Sequence, residues 1–425
     1  MLRRNLAMVL CVTSLLAAFG VQATAPSIRH MEHSGREFEE WITQQAVRFH
    51  EQTGIAVEVE FGGQAGKVPE KLAVRVAAGL APDTTFMSLN LLPLTKVPLV
   101  DLRPFVDRDR LNLSRYPNPV ISHLTVQEGL RQGAFLGLPV SLWTYGVAYN
   151  KGMFEQNGLP KPNHDWSWAD LITYTRKLGA DTSGDGTIDR WGLMLPVAWT
   201  RMGVVVHQAG GGWLDSQTDP KRATLANANT RLALDFIDEL FATGGADGGW
   251  EAFWRNRAGI SYDAGPNYGE RIAQQSNPFE FEWIPYAKGP GPNTGGELAV
   301  QFYAMLEDSR SKDAAWQWLK FLTHDMQSQL EYGARTQRIP AYLPASQRYF
   351  SDMSKANPSI MEIVTLVADP TSYVRPTSWE AVGDIIDTWL TRAYVQRDIS
   401  LHEAIVQTER LIEGRLASLR TQGIQ

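Results

Sequence analysis

The sequence predicts an α/β protein of more than one domain, and three observations lead to this prediction. Near the N-terminus, segments with helical and with strand-like hydrophobic spacing alternate, as they do where helices cover a parallel sheet. The chain has 425 residues, enough for two or three domains at about 150 residues each. Hydrophobic residues make up 44% of the chain and charged residues 20%, which is typical of globular rather than disordered, fibrous or membrane proteins.

The first four predicted elements run helix, strand, helix, strand. Apolar residues recur at helical spacing over 38–49, and Gly54 marks the end of that helix. Residues 55–61 alternate between apolar and polar side chains, which predicts a half-buried strand. A second helical stripe covers 72–80, and the short apolar run 84–89 is typical of a buried strand. This order favours parallel α/β layers.

Both types of element continue along the rest of the chain. Residues 138–148 are rich in β-branched and aromatic residues and predict a strand. The Gly- and Pro-rich stretch 289–296 can form neither a helix nor a central strand, so we expect it to cross between two lobes. Further helical stripes lie at 168–178, 232–241, 314–322, 382–390 and 401–419.

The N-terminal residues have the features of a secretory signal. Arg3 and Arg4 precede the apolar stretch 6–20, which is too short to span a membrane comfortably. Small residues then predict cleavage after Ala23, so the signal peptide is 1–23; cleavage after Ala25 is the less suitable alternative. The one cysteine, Cys11, lies within this segment, so the mature protein is expected to be exported and free of disulfides and cysteine-based metal sites.

Charge and motifs exclude several functions. The formal net charge of −6 argues against nucleic acid as a partner, since nucleic-acid binding needs a basic patch. Residues 62–67 lack the spacing of a phosphate-binding loop, and the eight histidines have no metal-ligand spacing. A possible structural calcium ion is predicted at an EF-hand-like loop, although Gly192 replaces its last ligand and an Asp-rich turn is the alternative. The candidate ligands are Asp181, Ser183, Asp185 and Asp189.

Tryptophan is unusually abundant, and nine of the 14 tryptophans lie between residues 143 and 283. Flat aromatic side chains can cover the apolar faces of sugar rings, while polar groups bind the hydroxyls at the rim. We therefore expect a carbohydrate-binding role for the tryptophans predicted in loops, Trp143, Trp199, Trp213, Trp250, Trp254 and Trp283. For the helical tryptophans a core position is favoured, with one of Trp316 and Trp318 facing away from the core.

A series of short motifs resembles a known family. Residues 49–59 read FHEQTGIAVEV, 77–83 read AAGLAPD, and 147–154 read VAYNKGMF. LPV at 138–140, WSWADL at 166–171 and QRIPA at 337–341 complete the series. Together they are similar to extracellular solute-binding protein family 1, the sugar-capturing subunits of bacterial ABC importers, over essentially the whole mature chain.

The resemblance implies a two-lobe periplasmic binding protein fold of type II, with ligand held between the lobes. Hinge crossings are expected near 139–142, 295–298 and 339–341. The N-terminal lobe would be 26–140 plus 297–339, and the C-terminal lobe 141–296 plus 340–425. Asn267 stands where the family usually has an aromatic residue, which Tyr268 could replace. The residues expected to bind ligand are Gln64, Ser88, Asn90, Trp143, Tyr145, Trp199, Gly212, Trp213, Asp263, Asn267, Tyr268, Glu297, Arg335 and Trp379.

The function that the resemblance implies is capture of a mono- or oligosaccharide in the periplasm and delivery to an inner-membrane ABC permease, by a monomer without catalysis or a required cofactor. A glycoside hydrolase or lyase is one alternative, with Asp263 and Glu297 as acid and base. A turn cap and a hinge salt bridge are the structural alternatives for these two carboxylates. The same fold could also bind a peptide, a polyamine or a phosphate ester. The small number of basic residues near the expected cleft disfavours an anionic ligand, although Arg335 and Arg338 leave this alternative open.

Overall fold

The computed structural model describes residues 27–89, 97–127, 131–216, 220–375 and 381–421. The predicted signal peptide and the predicted ligand contacts Asn90 and Trp379 lie outside the described residues. The strands are β1 (Ser27–Glu32), β2 (Ala56–Phe61), β3 (Thr84–Ser88), β4 (Leu138–Thr144), β5 (Gly146–Asn150), β6 (Trp191–Met194), β7 (Ala246–Asp247), β8 (Ala258–Ala264), β9 (Phe281–Ile284), β10 (Glu297–Met305), β11 (Ile339–Pro340) and β12 (Tyr373–Val374).

Seven of the fifteen helices in the described residues lie on the predicted stripes, and the other eight were not predicted. The helices are α1 (Arg36–Thr53), α2 (Val68–Ala77), α3 (Arg103–Asp109), α4 (Asn118–His123), α5 (Lys151–Gln156), α6 (Trp168–Leu178), α7 (Trp199–Gln208), α8 (Ala228–Ala242), α9 (Tyr268–Ala273), α10 (Lys312–His324), α11 (Met326–Thr336), α12 (Leu343–Met353), α13 (Met361–Ala368), α14 (Gly383–Thr391) and α15 (Leu401–Thr421). Gly54 ends α1 as predicted, in a left-handed conformation with φ of 73°. Within the described part of the chain, every helix is too short or too polar to cross a membrane.

The first sheet contains seven of the described strands, in the order β11-β4-β10-β3-β1-β2, with β12 paired to β10. β1 is parallel to β2 and β3, while β10 is antiparallel to both β3 and β4. The carboxyl ends of β1, β2, β3 and β4 therefore lie at one edge, together with the amino end of β10. We call this the carboxyl edge of the first sheet.

The second sheet contains five of the described strands, in the order β7-β6-β8-β5-β9. β6 is parallel to β7 and β8, and β5 is antiparallel to β8 and β9. The carboxyl ends of β6, β7, β8 and β9 share an edge with the amino end of β5, the carboxyl edge of the second sheet. β4 belongs to the first sheet and β5 to the second, and one residue, Tyr145, separates them.

The segments expected to form the second and third hinge crossings lie near strands of the first sheet. The coil that precedes Glu297 connects β9 of the second sheet to β10 of the first. β11 pairs with β4 in the first sheet, and α12 follows it. β12 returns to the first sheet by pairing with β10, although it lies in the segment assigned to the C-terminal lobe. The residue limits of the two lobes stay a prediction.

Trp316 and Trp318 are both fully buried, so the prediction that one of them faces away from the core is wrong. Trp318 lies 5.1 Å from Phe49 of α1, measured between ring centroids. Trp316 points the other way, and its Nε1 donates to Oδ2 of Asp109 on α3 at 2.8 Å. Because α1 packs against Trp318 and α3 contacts Trp316, α10 is covered on two sides.

β1 was not predicted, because its polar residues are buried in a network rather than exposed. Glu32 at its carboxyl end accepts a hydrogen bond from Oη of Tyr303 at 2.7 Å and contacts Nδ1 of His33 at 2.5 Å. Nε2 of His30 lies 3.3 Å from the same carboxylate. Burial by itself would raise the pKa of Glu32, but the hydrogen bonds with His30 and His33 outweigh it and lower the pKa from 4.5 to about 2.

The loop proposed for calcium is held by its own hydrogen bonds. The carboxylate of Asp181 accepts from the backbone N–H groups of Gly184 and Gly186, both at 2.7 Å, and Asp189 accepts from Thr182 at 2.8 Å. These backbone hydrogen bonds lower the pKa of both carboxylates. No cluster of three or more His, Cys, Asp or Glu suited to a metal ion occurs in the described residues. Calcium at this loop stays a prediction, which a melting temperature unchanged by EDTA would contradict.

We expect Glu32→Gln to destabilise the fold in a pH-dependent way. A lowered pKa in the folded state stabilises the protein above the unfolded value of 4.5, and this stabilisation disappears as the pH falls towards about 2. Urea unfolding at neutral pH should show that the free energy of unfolding of the variant is lower than that of the wild type by roughly 2–3 kcal/mol. This difference should become smaller at about pH 3. The exposed Glu58 of β2 offers a control, E58Q, with no expected change. An equal loss for E32Q at both pH values would contradict this account.

Candidate functional site

The two carboxyl edges meet at Tyr145, and this junction is the candidate site. In open α/β sheets, ligands bind outside the carboxyl ends of the strands, where loops leave the sheet. Here the chain passes from the carboxyl edge of the first sheet to that of the second through a single residue. Loops from both sheets therefore converge on one cleft.

Trp143 and Tyr145 form the floor of this cleft. Their rings meet edge to face, with centroids 5.8 Å apart, and both side chains are half-buried. A Cβ atom at position 265 would lie 3.0 Å from Cζ2 of Trp143 and 3.2 Å from Oδ1 of Asn267. Gly265 follows β8, so the absence of a side chain there lets Trp143 of the first sheet approach the second. The structure thus brings the predicted residues Trp143, Tyr145 and Asn267 together.

A buried ion pair lies against Tyr145. Arg201 of α7 donates through Nε to Oδ1 of Asp263 at 2.5 Å, and the two residues are 6% and 5% exposed. The guanidinium carbon of Arg201 lies 3.2 Å from the centroid of the Tyr145 ring. Burial raises the pKa of Asp263, and the charge of Arg201 partly offsets that rise. Asp263 is therefore held by an arginine that the sequence analysis did not identify.

Glu297 forms a second buried ion pair. This agrees with the structural alternative given for it above, a hinge salt bridge. Glu297 is the first residue of β10 and is 2% exposed. Its Oε1 accepts a hydrogen bond from Nε of Arg375 at 2.9 Å, and a second one from Nη2 of the same side chain. The guanidinium carbon of Arg375 lies 5.4 Å from the centroid of the Trp199 ring.

Tyr268, Trp213 and Gly212 support the cleft rather than forming its surface. Tyr268 is 1% exposed, and its Oη lies 3.5 Å from Oδ2 of Asp263. Trp213 is fully buried and donates from Nε1 to the carbonyl oxygen of Trp199 at 3.2 Å. Gly212 accepts hydrogen bonds from the hydroxyls of two threonines and lines a different cavity, of about 950 Å³. That larger cavity contains neither Trp143 nor Tyr145.

Most tryptophans of the 143–283 segment belong to the core. Trp143 is in β4, Trp199 begins α7 and Trp283 is in β9, so the prediction that these three lie in loops is wrong. Gly, Pro and Asp neighbours mark the turns beside these elements rather than the positions of the three tryptophans. Trp213, Trp250 and Trp254 lie outside helices and strands, as predicted. Trp250, which follows β7 at the carboxyl edge of the second sheet, is 48% exposed.

A groove of about 450 Å³ extends the cleft along the second sheet. Trp250, Trp254, Asp263 and Arg271 contribute to its lining. The guanidinium carbon of Arg271 lies 3.1 Å from the centroid of the Trp254 ring, and that of Arg201 lies 5.3 Å from Trp250. Two flat indole rings with cationic groups over them therefore line one wall.

The first sheet contributes a polar edge. Ser88 ends β3 and Gln64 lies exposed just before α2, so both predicted residues are at the carboxyl edge. The sequence analysis missed His33, which follows β1 with its ring centroid 4.0 Å from that of Phe86. Nε2 of His33 is buried and has no hydrogen-bond partner among the described residues. Its position directly after a parallel strand is the signal that could have identified it.

Arg335 and Arg338 lie in different surroundings. Arg335 is exposed on α11 and donates to Oε1 of Gln44 on α1 at 2.9 Å, so the structure does not bring it to the cleft residues. The guanidinium carbon of Arg338 lies 5.5 Å from the centroid of the Trp143 ring. With Arg201, Arg271 and Arg375, four arginines line the cleft, so the expectation of few basic residues there is wrong. These four arginines are distant from one another in sequence, and they lie near one another only in the folded protein.

Comparisons with solved structures show the fold. The sugar-binding protein MalE from the phytopathogen Xanthomonas citri has a TM-score of 0.77 at 19% identity, covering 94% of this chain and 99% of that chain. A cyclic α-maltosyl-1,6-maltose binding protein from Arthrobacter globiformis has a TM-score of 0.75 at 18% identity, covering 92% and 99%. An ABC substrate-binding protein from Listeria monocytogenes in complex with cycloalternan has a TM-score of 0.72 at 18% identity, covering 95% and 100%.

Sequence comparison identifies the family. No curated protein is detectably similar to the chain in sequence. The profile described as bacterial extracellular solute-binding protein, however, matches residues 32–328, which is more than half of the chain. The two-lobe architecture expected from the motifs is confirmed by the structural neighbours. The chain belongs to the bacterial extracellular solute-binding protein family.

Proposed function

We propose that this protein captures a mono- or oligosaccharide in the cleft at Tyr145 and delivers it to an ABC permease of the inner membrane. The observation that carries the proposal is the meeting of two carboxyl edges at a single-residue crossing, with aromatic and charged side chains from both sheets. The structural neighbours named above are described as binding sugars, and this supports a carbohydrate ligand.

Closure around the ligand follows from this arrangement. A ligand at Tyr145 would touch side chains carried by both sheets, so it binds the closed form more tightly than the open one and shifts the population towards it. The half-buried Trp143 and the exposed Trp250 offer aromatic faces to sugar rings. Asn267, beside Trp143, is placed to exchange hydrogen bonds with hydroxyls. No bond needs to be broken for this function.

The cellular setting is part of the same proposal. Residues 1–23 act as a cleaved signal peptide, and the mature chain is a monomer in the periplasm. Permease docking uses the closed form, which links capture to delivery. The family and its extracellular character support this setting.

The enzymatic alternative is disfavoured by the partners of the two carboxylates. Asp263 is bonded to Arg201, and Glu297 is bonded to Arg375. A general acid or base must be within reach of the substrate proton and free to exchange it. Both carboxylates are instead buried in ion pairs that position arginines.

A panel of mono- and oligosaccharides tests the proposed function. Ligand that binds only the folded state raises the melting temperature, so thermal shift followed by calorimetry should identify a binding sugar. Reducing ends measured after prolonged incubation should stay constant. Turnover of a bound sugar would contradict the proposal, and so would the absence of binding across the panel.

Trp143→Ala should weaken binding of the identified sugar at least tenfold, since a well-placed stacking aromatic contributes about 1–2 kcal/mol. Trp191→Ala is the matched control, because Trp191 is half-buried at the amino end of β6, opposite the carboxyl edge. Calorimetry on both variants, at a temperature where both are folded, measures the effect. Equal affinities of the two variants would remove Trp143 from the site.

A further inference from the structure

We infer that the captured carbohydrate carries a carboxylate group, as in a sugar acid or an oligosaccharide that contains uronic acid units. This inference rests on the proposed carbohydrate-binding function and narrows its ligand class. It follows from the charge of the cleft, from the hydrogen-bonding groups that remain available there, and from the positions of two arginines.

The cleft has more cationic than anionic side chains. Among the described residues, Arg201, Arg271, Arg338 and Arg375 lie on or beside its aromatic rings, at 3.1–5.5 Å from ring centroids. The carboxylates next to them are those of Asp263 and Glu297, and the groove also contains Glu251, whose charge is balanced by its partner Arg255. The formal net charge of the whole chain is −6, whereas the cleft has a local excess of two positive charges. Such a local field attracts anions.

The internal ion pairs also occupy the best acceptors. A neutral sugar hydroxyl both donates and accepts, and sugar-binding carboxylates usually serve as acceptors for it. Oδ1 of Asp263 accepts from Arg201, and its Oδ2 lies 3.5 Å from Oη of Tyr268. Oε1 of Glu297 accepts twice from Arg375. Both buried carboxylates are therefore engaged within the protein.

Donors, in contrast, remain unused. The guanidinium groups of Arg338 and Arg271 form no hydrogen bond or close ion pair with any described residue, and each lies over a tryptophan ring. The charge of Arg271 also acts on Asp263, where it partly offsets the rise in pKa that burial causes. Nε1 of Trp143 and Nε1 of Trp254 are buried without an acceptor in the described part of the chain. A donor-rich cleft suits a ligand that is rich in acceptors, and a carboxylate accepts through both oxygens without donating.

The geometry of the guanidinium group favours a carboxylate in particular. Its planar fork can donate two parallel hydrogen bonds to the two oxygens of a carboxylate. Arg338 directly precedes β11 of the first sheet, whereas Arg271 is in α9, which follows β8 of the second sheet. An acidic sugar that contacts both would join the lobes by charge as well as by stacking, and would favour closure.

Calorimetry with matched sugars tests the inference. The probes are trigalacturonate, its neutral counterpart galactotriose, maltotriose, and glucose 6-phosphate as a phosphate-bearing sugar. We expect trigalacturonate to bind at least about tenfold more tightly than either neutral trisaccharide, a difference of about 1.4 kcal/mol. Its affinity should fall when the salt concentration rises from about 0.02 to about 0.5 M, because salt screens the charge interaction.

The Arg338→Gln variant tests the contribution of the Arg338 guanidinium group to binding. It should reduce the affinity for trigalacturonate at least about tenfold, since a charge-assisted pair is lost. Arg348→Gln is the matched control, because Arg348 is exposed on α12 and pairs with Asp352. Equal melting temperatures of the two variants would show that both are folded.

The outcomes are distinguishable. Preference for a neutral trisaccharide, or for the sugar phosphate, would overturn the inference and leave the proposed function intact. Binding of trigalacturonate that neither salt nor R338Q weakens would also overturn it. Failure of every sugar in this set and in the wider panel would overturn the proposed function and this inference together.

Discussion

The step from β4 to β5 through Tyr145 is the constraint on which the rest of the structure depends. It joins the carboxyl edge of one sheet to the carboxyl edge of the other without an intervening loop. The loops that leave the two edges therefore face the same junction from either side. Gly265 completes the junction, because a Cβ atom there would lie only 3.0 Å from the ring of Trp143. The connection between the two sheets therefore creates the cleft, whichever residues bind the ligand there.

The buried ion pairs around Tyr145 give the cleft its chemical character. Charged groups that leave water need close partners, and breaking one such pair costs about 3–5 kcal/mol. Arg201 is paired with Asp263 and lies over the face of the Tyr145 ring, and Arg375 is paired with Glu297. Each pair joins segments that are far apart in sequence, so each also fixes how the loops are arranged. The carboxylates act as positioning residues for the arginines.

Much of the architecture could be predicted from local patterns, whereas long-range burial could not. The stripe over 168–178 coincides with α6, which buries one apolar face, and the continuous apolar run 84–89 contains β3, which is buried on both faces. β1 escaped prediction since His30 and Glu32 are buried by hydrogen bonds to each other and to Tyr303. For the site, Trp143 and Asp263 were identified from motifs. Arg201 was not, because its place on Tyr145 depends on how the second sheet is assembled.

The central claim is that one ligand contacts both lobes at Tyr145 and closes them. Small-angle X-ray scattering of the purified protein, without ligand and saturated with a binding carbohydrate, tests it most directly. A smaller radius of gyration in the saturated sample is the result that this account predicts. An unchanged scattering curve at saturation, with binding confirmed by calorimetry on the same sample, would contradict it.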